Sequence, residues 1–172
     1  MLQVKMNIAE VGWQAGIIDG EGTITLSKQI RKTRPSPTYR EIIQVCNTDQ
    51  RIIRPFKIFW GGEIYPRPDK RKIKNWADSY TWHCPVSKAQ QFLQCMLPYL
   101  KGKKEQASTL LRFIENKKSF KRKCLGQGKG SAPLGEEEIH FRESLWVAIR
   151  LLNKKGQYSR SQRYGKEIYG RP

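Results

Sequence analysis

Two acidic residues, Asp19 and Glu21, close the stretch Gln14-Ala15-Gly16-Ile17-Ile18-Asp19-Gly20-Glu21-Gly22. Ile8, Val11, Ala15 and Ile18 recur at helical spacing and predict one apolar face. Asn7 and Glu10 stand at capping-box spacing, so the helix starts just after Asn7, and Gly20 and Gly22 are placed to stop it. The last carbonyls of a helix have no amide partners and carry partial negative charge. Two carboxylates there are unfavourable unless a cation collects on them, and hard oxygen donors of this kind suit Mg²⁺. The bland alternative is an ordinary helix end with solvated acids. Gly12, Ala15 and Gly16 carry almost no side chain, and such a stripe lets a second backbone come very near.

The whole chain sets the context for that site. It has 172 residues, enough for one domain with a real core. Its formal net charge is +18, a self-repelling surplus that calls for a polyanionic partner. Nucleic acid fits best, because each phosphate contact releases counterions. No apolar run approaches the roughly 20 residues of a spanning helix, no signal-peptide core is expected at the start, and no membrane partner is expected. Cys46, Cys84, Cys95 and Cys124 have no C-x-x-C spacing and read as small hydrophobes in a reducing compartment. His83 and His140 are the only histidines, which argues against zinc fingers and histidine-based nuclease sites.

The elements that must carry the site follow in order. Thr23, Thr25, Ser27, Gln29 and Arg31 alternate with Ile24, Leu26 and Ile30, which predicts a strand with a polar face and a core face. After a turn at 34–37, a second strand over 38–46 puts Tyr39, Ile43 and Val45 inward and Thr38, Arg40, Ile42 and Gln44 outward; Glu41 breaks the core pattern. A helix opened by Asn47-Thr48-Asp49 uses Ile52, Ile53, Phe56 and Phe59, contains Pro55 and ends at Gly61-Gly62. Two strands follow, at 63–67 and 78–84, the first offering Glu63, Tyr65 and Arg67 to the open face. In the second, Tyr80, Trp82 and Cys84 suit the core and Ser79, Thr81 and His83 the open face, with the opposite phase left open. Between them lies a basic loop with Lys70 and Lys72. Ser87 and Gln90 form a second capping box ahead of Ala89, Phe92, Leu93 and Met96. Helices are expected over 103–116 and 136–153, the latter anchored by Ile139, Leu145, Trp146, Ile149 and Leu152, with a basic loop over 117–135. Residues 1–153 read as one domain and 154–172 as a flexible basic tail. The order implies an α+β fold, a four-stranded antiparallel sheet with helices on one face. The other face, lined by Thr, Ser, Gln and Arg, suits a major groove, where Gln and Arg make bidentate base contacts.

The nonapeptide resembles the motif of LAGLIDADG homing endonucleases. It matches at Ala15, Gly16, Ile18, Asp19 and Gly22, varies conservatively at Ile17 and Glu21, and departs at Gln14 and Gly20. Gln44-Val45-Cys46-Asn47-Thr48-Asp49, Gly61-Gly62-Glu63-Ile64-Tyr65 and Pro98-Tyr99-Leu100-Lys101-Gly102-Lys103 extend the resemblance over residues 7–116. With one motif per chain, it points to the single-motif, homodimeric branch. The resemblance implies the family's fold and its DNA saddle, with double-stranded DNA as partner. It also implies Mg²⁺-dependent cutting of both strands across the minor groove to leave 3′ overhangs, in the service of intron mobility. Mn²⁺ would substitute, and Ca²⁺ would support binding without cleavage. By the same resemblance Glu21 and the Gly20 carbonyl hold metal, and Asn47, Arg51 and Lys101 form the polar and basic pocket. Val11, Gly12, Ala15, Gly16 and Asp19 would form the dimer interface. The alternatives are an intron maturase of the same fold, with intron RNA as partner, and a non-catalytic DNA-binding regulator. The compartment expected is one that is reducing and holds DNA: prokaryotic cytoplasm, chloroplast or mitochondrion.

Overall fold

A computed structural model describes residues 6–68, 77–120 and 133–154. The first helix, α1 (Ile8–Glu21), is capped by Asn7, whose Oδ1 accepts the Glu10 amide at 2.8 Å. Glu10 does not return the bond that a capping box requires; it accepts from the Gln14 side chain at 3.1 Å instead. Gly20 does not stop the helix. α1 runs to Glu21, and Gly22 follows in an extended conformation. A Cβ on Gly22 would come within 2.6 Å of the Ile18 carbonyl, so the turn from helix to strand leaves no room for a side chain.

Four strands form one antiparallel sheet in the order β1-β2-β4-β3, with β1 Gly22–Gln29, β2 Thr38–Asn47, β3 Glu63–Arg67 and β4 Ser79–His83. Ile24, Leu26, Tyr39, Ile43, Val45 and Trp82 face inward and are buried, as alternation predicts. Glu41 does lie on that inner face: its carboxylate is buried and paired with Lys117 at 2.7 Å. Ile30 falls just beyond β1 and is exposed, so the core face ends with Leu26.

Helices α2 (Gln50–Trp60), α3 (Ala89–Met96), α4 (Lys104–Ser119) and α5 (Glu136–Leu152) complete the order. Phe56, Trp60, Trp82 and Phe92 pack ring against ring at the centre of the core they share with the sheet. Pro55 sits inside α2. Gly62, at φ +84°, lies against the His83 carbonyl, where a Cβ would approach to 2.2 Å. Ser87 does not cap α3; its N-cap is Lys88, without a side-chain bond. Residues 117–119, expected in a loop, continue α4. On α5 the buried positions are Glu138, Arg142, Leu145 and Ile149, and Glu138 and Arg142 pair with each other inside the core. Trp146 is only partly buried and lies between Lys28 and Arg150, each over its ring. No described helix is long and apolar enough to cross a membrane. Lys70, Lys72, Cys124 and the tail from 155 onward lie outside the described residues.

Candidate functional site

The site is built where α1 runs into β1. Glu21 is the last residue of the helix and is exposed. Gly22 pairs with Val45, so the end of β2, with Asn47, lies alongside the start of β1. Asn47 Oδ1 accepts the Asp49 amide at 2.8 Å. Asp49 in turn caps α2 and pairs with Arg51 at 2.7 Å. Hydrogen bonds from the Arg51 side chain and backbone hold the Asp49 carboxyl below the usual range. Arg51 itself is 87% exposed, so this pair ties the guanidinium down only weakly.

Asp19, expected at the dimer interface, makes hydrogen bonds within its own chain. Its carboxylate accepts the backbone amides of Lys101, at 2.6 Å, and Lys103, at 2.8 Å, and so clasps the connection between α3 and α4 to the end of α1. It is thus engaged within its own chain. The clasp also decides which lysine reaches the acidic end. Lys101 spends its amide on Asp19 and its residue is exposed. Lys103 turns its ammonium back onto α1, donating to the Ile18 carbonyl at 2.9 Å and to the Asp19 carbonyl. A cation over the last turn of a helix complements its dipole. Burial holds the Lys103 ammonium below the usual lysine range, with Asp19 and Glu21 opposing. Lys103, not named among the expected pocket residues, is thus the lysine whose ammonium lies on the end of α1, within the influence of Glu21. Nothing in the run Lys101-Gly102-Lys103-Lys104 distinguishes these lysines; only the path of the clasped loop does.

The predicted dimer face divides in two. Val11 is 7% exposed and Ala15 fully buried, both in the chain's own core, because they share the face of Ile18. Gly16 and Gly20 are exposed and Gly12 partly so, and a Cβ on any of the three would meet nothing within 4 Å. The bare stripe of α1 is thus Gly12, Gly16 and Gly20, flanked by the exposed Trp13. Ile8, expected on the core face, is also exposed. Gln14, the departure from the motif's opening Leu, is fully buried and accepts the Trp60 indole N–H at 2.8 Å.

The open face of the sheet carries the residues that alternation assigned to it. Cross-strand pairing sets Ser27 against Arg40, Gln29 against Thr38, Thr25 against Ile42 and Thr23 against Gln44. On the other half, Arg67 lies against Ser79, Tyr65 against Thr81 and Glu63 against His83. Arg40, Tyr65 and Arg67 are exposed. Thr81 is a correction: it has the outward phase but is fully buried, on an interior strand between Cys46 and Tyr65. Arg31 falls outside β1, its guanidinium reaching the Gln29 side chain at 3.4 Å.

No family model matches the chain, and no curated protein sequence matches it. Solved structures do. The homing endonuclease I-CvuI in complex with its target is 19% identical with a TM-score of 0.61, over 95% of this chain and 96% of that one. The archaeal intron-encoded homing endonuclease I-Vdi141I, complexed with DNA, is 15% identical with a TM-score of 0.64, over 88% and 89%. The group I intron-encoded I-CeuI, also complexed with DNA, is 14% identical with a TM-score of 0.61, over 90% and 71%. The LAGLIDADG homing endonuclease I-GzeII aligns over 96% of this chain but only 50% of its own, with a TM-score of 0.55. The chain has the fold of the LAGLIDADG homing endonucleases, and it spans nearly the full length of I-CvuI.

Proposed function

We propose that the protein is a site-specific DNA endonuclease of the LAGLIDADG type. It acts as a homodimer with a divalent cation and cuts both strands of a long, near-palindromic target. The observation that carries this reading is the exposed Glu21 carboxylate at the end of α1, with the Lys103 ammonium clasped beside it and bare glycine surface alongside. The DNA complexes among the similar structures support the same reading.

Among the described residues, no group of three or more His, Cys, Asp and Glu could hold a metal. One chain offers Glu21 and the Gly20 carbonyl in an exposed last turn, where helix carbonyls lack amide partners. These are hard oxygen donors and fit Mg²⁺ or Mn²⁺. A second copy and the phosphates of the target would supply the rest. When bound, the cation supplies Lewis-acid charge at the scissile phosphate.

The chain's own groups do the remaining work. Lys103, placed by Asp19, offers a fixed positive charge where negative charge develops. Arg51 is free to exchange Asp49 for a phosphate, since an exposed pair is worth only about 0–1 kcal/mol. Asn47, with its Oδ1 engaged, keeps its Nδ2 donors for water or phosphate. Pairing two α1 helices through Gly12, Gly16 and Gly20 brings one Glu21 to each strand, and the symmetry of the dimer matches that of the target.

The test is selection of cut duplexes from a randomised library in Mg²⁺, with EDTA as control. The reading predicts metal-dependent double-strand cuts that converge on one near-palindromic sequence. Absence of cutting, with tight binding to intron RNA, would replace it by the maturase reading.

A further inference from the structure

Cross-strand pairing sets one row of side chains across the open face: Thr23, Gln44, His83 and Glu63. Thr23 is two residues from Glu21, so the β1 end of this row adjoins the acidic end of α1. His83 is the histidine on this face; His140 lies on α5. The His83 ring meets that of Tyr65 edge-on, with centroids 5.4 Å and planes 76° apart. Its backbone is fixed by Gly62, whose missing Cβ leaves room for the His83 carbonyl. The residue is half-buried, so the ring is held in place yet open to a ligand lying on the sheet.

We propose that His83 is a base-reading residue at the centre of the open face, and that its protonation decides which base edge each half-site can present to it. The inference rests on the DNA-cutting function proposed above. A neutral imidazole has one donor and one acceptor, whereas the imidazolium has two donors. In the major groove adenine and cytosine offer an amino donor, while guanine offers two acceptors. The neutral ring can accept from an amino group. The charged ring cannot, and it favours guanine.

The surroundings set the neutral form as the resting one. Glu63 and Arg67 from β3 and Arg40 from β2 are the charged groups that share the open face with the ring, while Glu41 from β2 and Lys117 from α4 line the adjoining groove from the inner side. Glu63 is paired with Lys57 at 2.9 Å and Glu41 with Lys117 at 2.7 Å, so neither acid is paired with Arg40 or Arg67 among the described residues. Burial, and then Arg67, hold His83 below the usual histidine range. Phosphates laid across the face act the other way, so DNA binding and acid work together.

The experiment is a binding competition in Ca²⁺ over all single-base variants of the selected target, at about pH 7.5 and about pH 5.5, on either side of the ordinary histidine value. The unmutated protein and His83→Gln, which keeps a donor and an acceptor without titrating, are compared. On acidification, the unmutated protein should gain about fivefold in preference for guanine at one position of each half-site, and His83→Gln should keep one preference at both pH values. The same profile at both pH values for the unmutated protein, or a shift that survives in His83→Gln, overturns the proposal. Where His83→Gln fails to fold, the imidazole resonance of His83 decides: it should move on adding the selected duplex but not a scrambled one, and lack of movement overturns the proposal. Selectivity of binding judges His83, while cutting in Mg²⁺ judges the endonuclease reading, so either can fail alone.

Discussion

Lys103 and Lys101 stand two residues apart, yet the clasp of Asp19 gives them different surroundings. Lys103→Met removes the ammonium from the end of α1 and keeps most of its apolar stem. Cleavage should fall by a factor of about 100 or more, on the scale of losing one transition-state charge, while gel-shift binding changes little. Lys101→Ala should leave cleavage within about threefold and lower the salt slope of binding by about one phosphate contact. Equal loss of cleavage in both variants would contradict the geometry. The place of Glu21 at an exposed helix end was legible in the sequence, because the glycine after it marks that end. Lys103 was not legible, because its position depends on a loop bonded to a residue 84 positions away. Thr81 shows the same limit: alternation gives phase, but not the bulk of the neighbours on the flanking strands.

The helix α1 serves two sides at once. Within one chain a Cβ at Gly16 meets nothing within 4 Å, and a better helix former on this exposed position gains up to about 1 kcal/mol of helix propensity. Against a second α1 it forces the backbones apart. Gly16→Leu should therefore fold at least as stably as the parent chain yet sediment as a monomer; unchanged dimers would place the interface elsewhere. Gly22→Ala should destabilise the chain itself, because its Cβ meets the Ile18 backbone. Helical spacing found the core side of α1 through Val11, Ala15 and Ile18. It did not separate Val11 and Ala15, which the chain's own core buries, from the bare Gly12 and Gly16, because Gly and Ala carry too little side chain to reveal which way they face. The phase of the strands was legible, since one buried face enforces alternation, but the end of β1 was not, Ile30 and Arg31 falling beyond it. The docking of α5 was less so: Glu143 accepts from Lys28 at 2.7 Å and from Tyr39, across more than a hundred residues of sequence. Burial works against the Glu143 charge, but these two bonds outweigh it and hold its carboxyl below the ordinary 4.5. Its contribution to stability is therefore full above that value and lost as pH falls through the folded value. Thermal melts at pH 7 and at about pH 3 should show a smaller acid-induced loss for Glu143→Gln than for the parent; an equal loss would remove this pair from the docking of α5.

At the scale of the whole molecule, the net charge of +18 and the open polar sheet face suit the polyanionic duplex of the proposed function. On the proposed function, a single Glu21 per chain would require a second copy before both strands could be cut. The central claim is that Glu21 is used for cutting and not for holding the fold, the dimer or the DNA. Glu21→Gln keeps its shape and removes its charge. Plasmid cleavage in Mg²⁺, set against gel-shift binding in Ca²⁺, measures the two separately on the selected target. Cleavage should fall by at least about a thousandfold, with binding equal to the parent or slightly tighter, since a carboxylate no longer repels the phosphates. Cutting by Glu21→Gln at the parent rate would contradict the account.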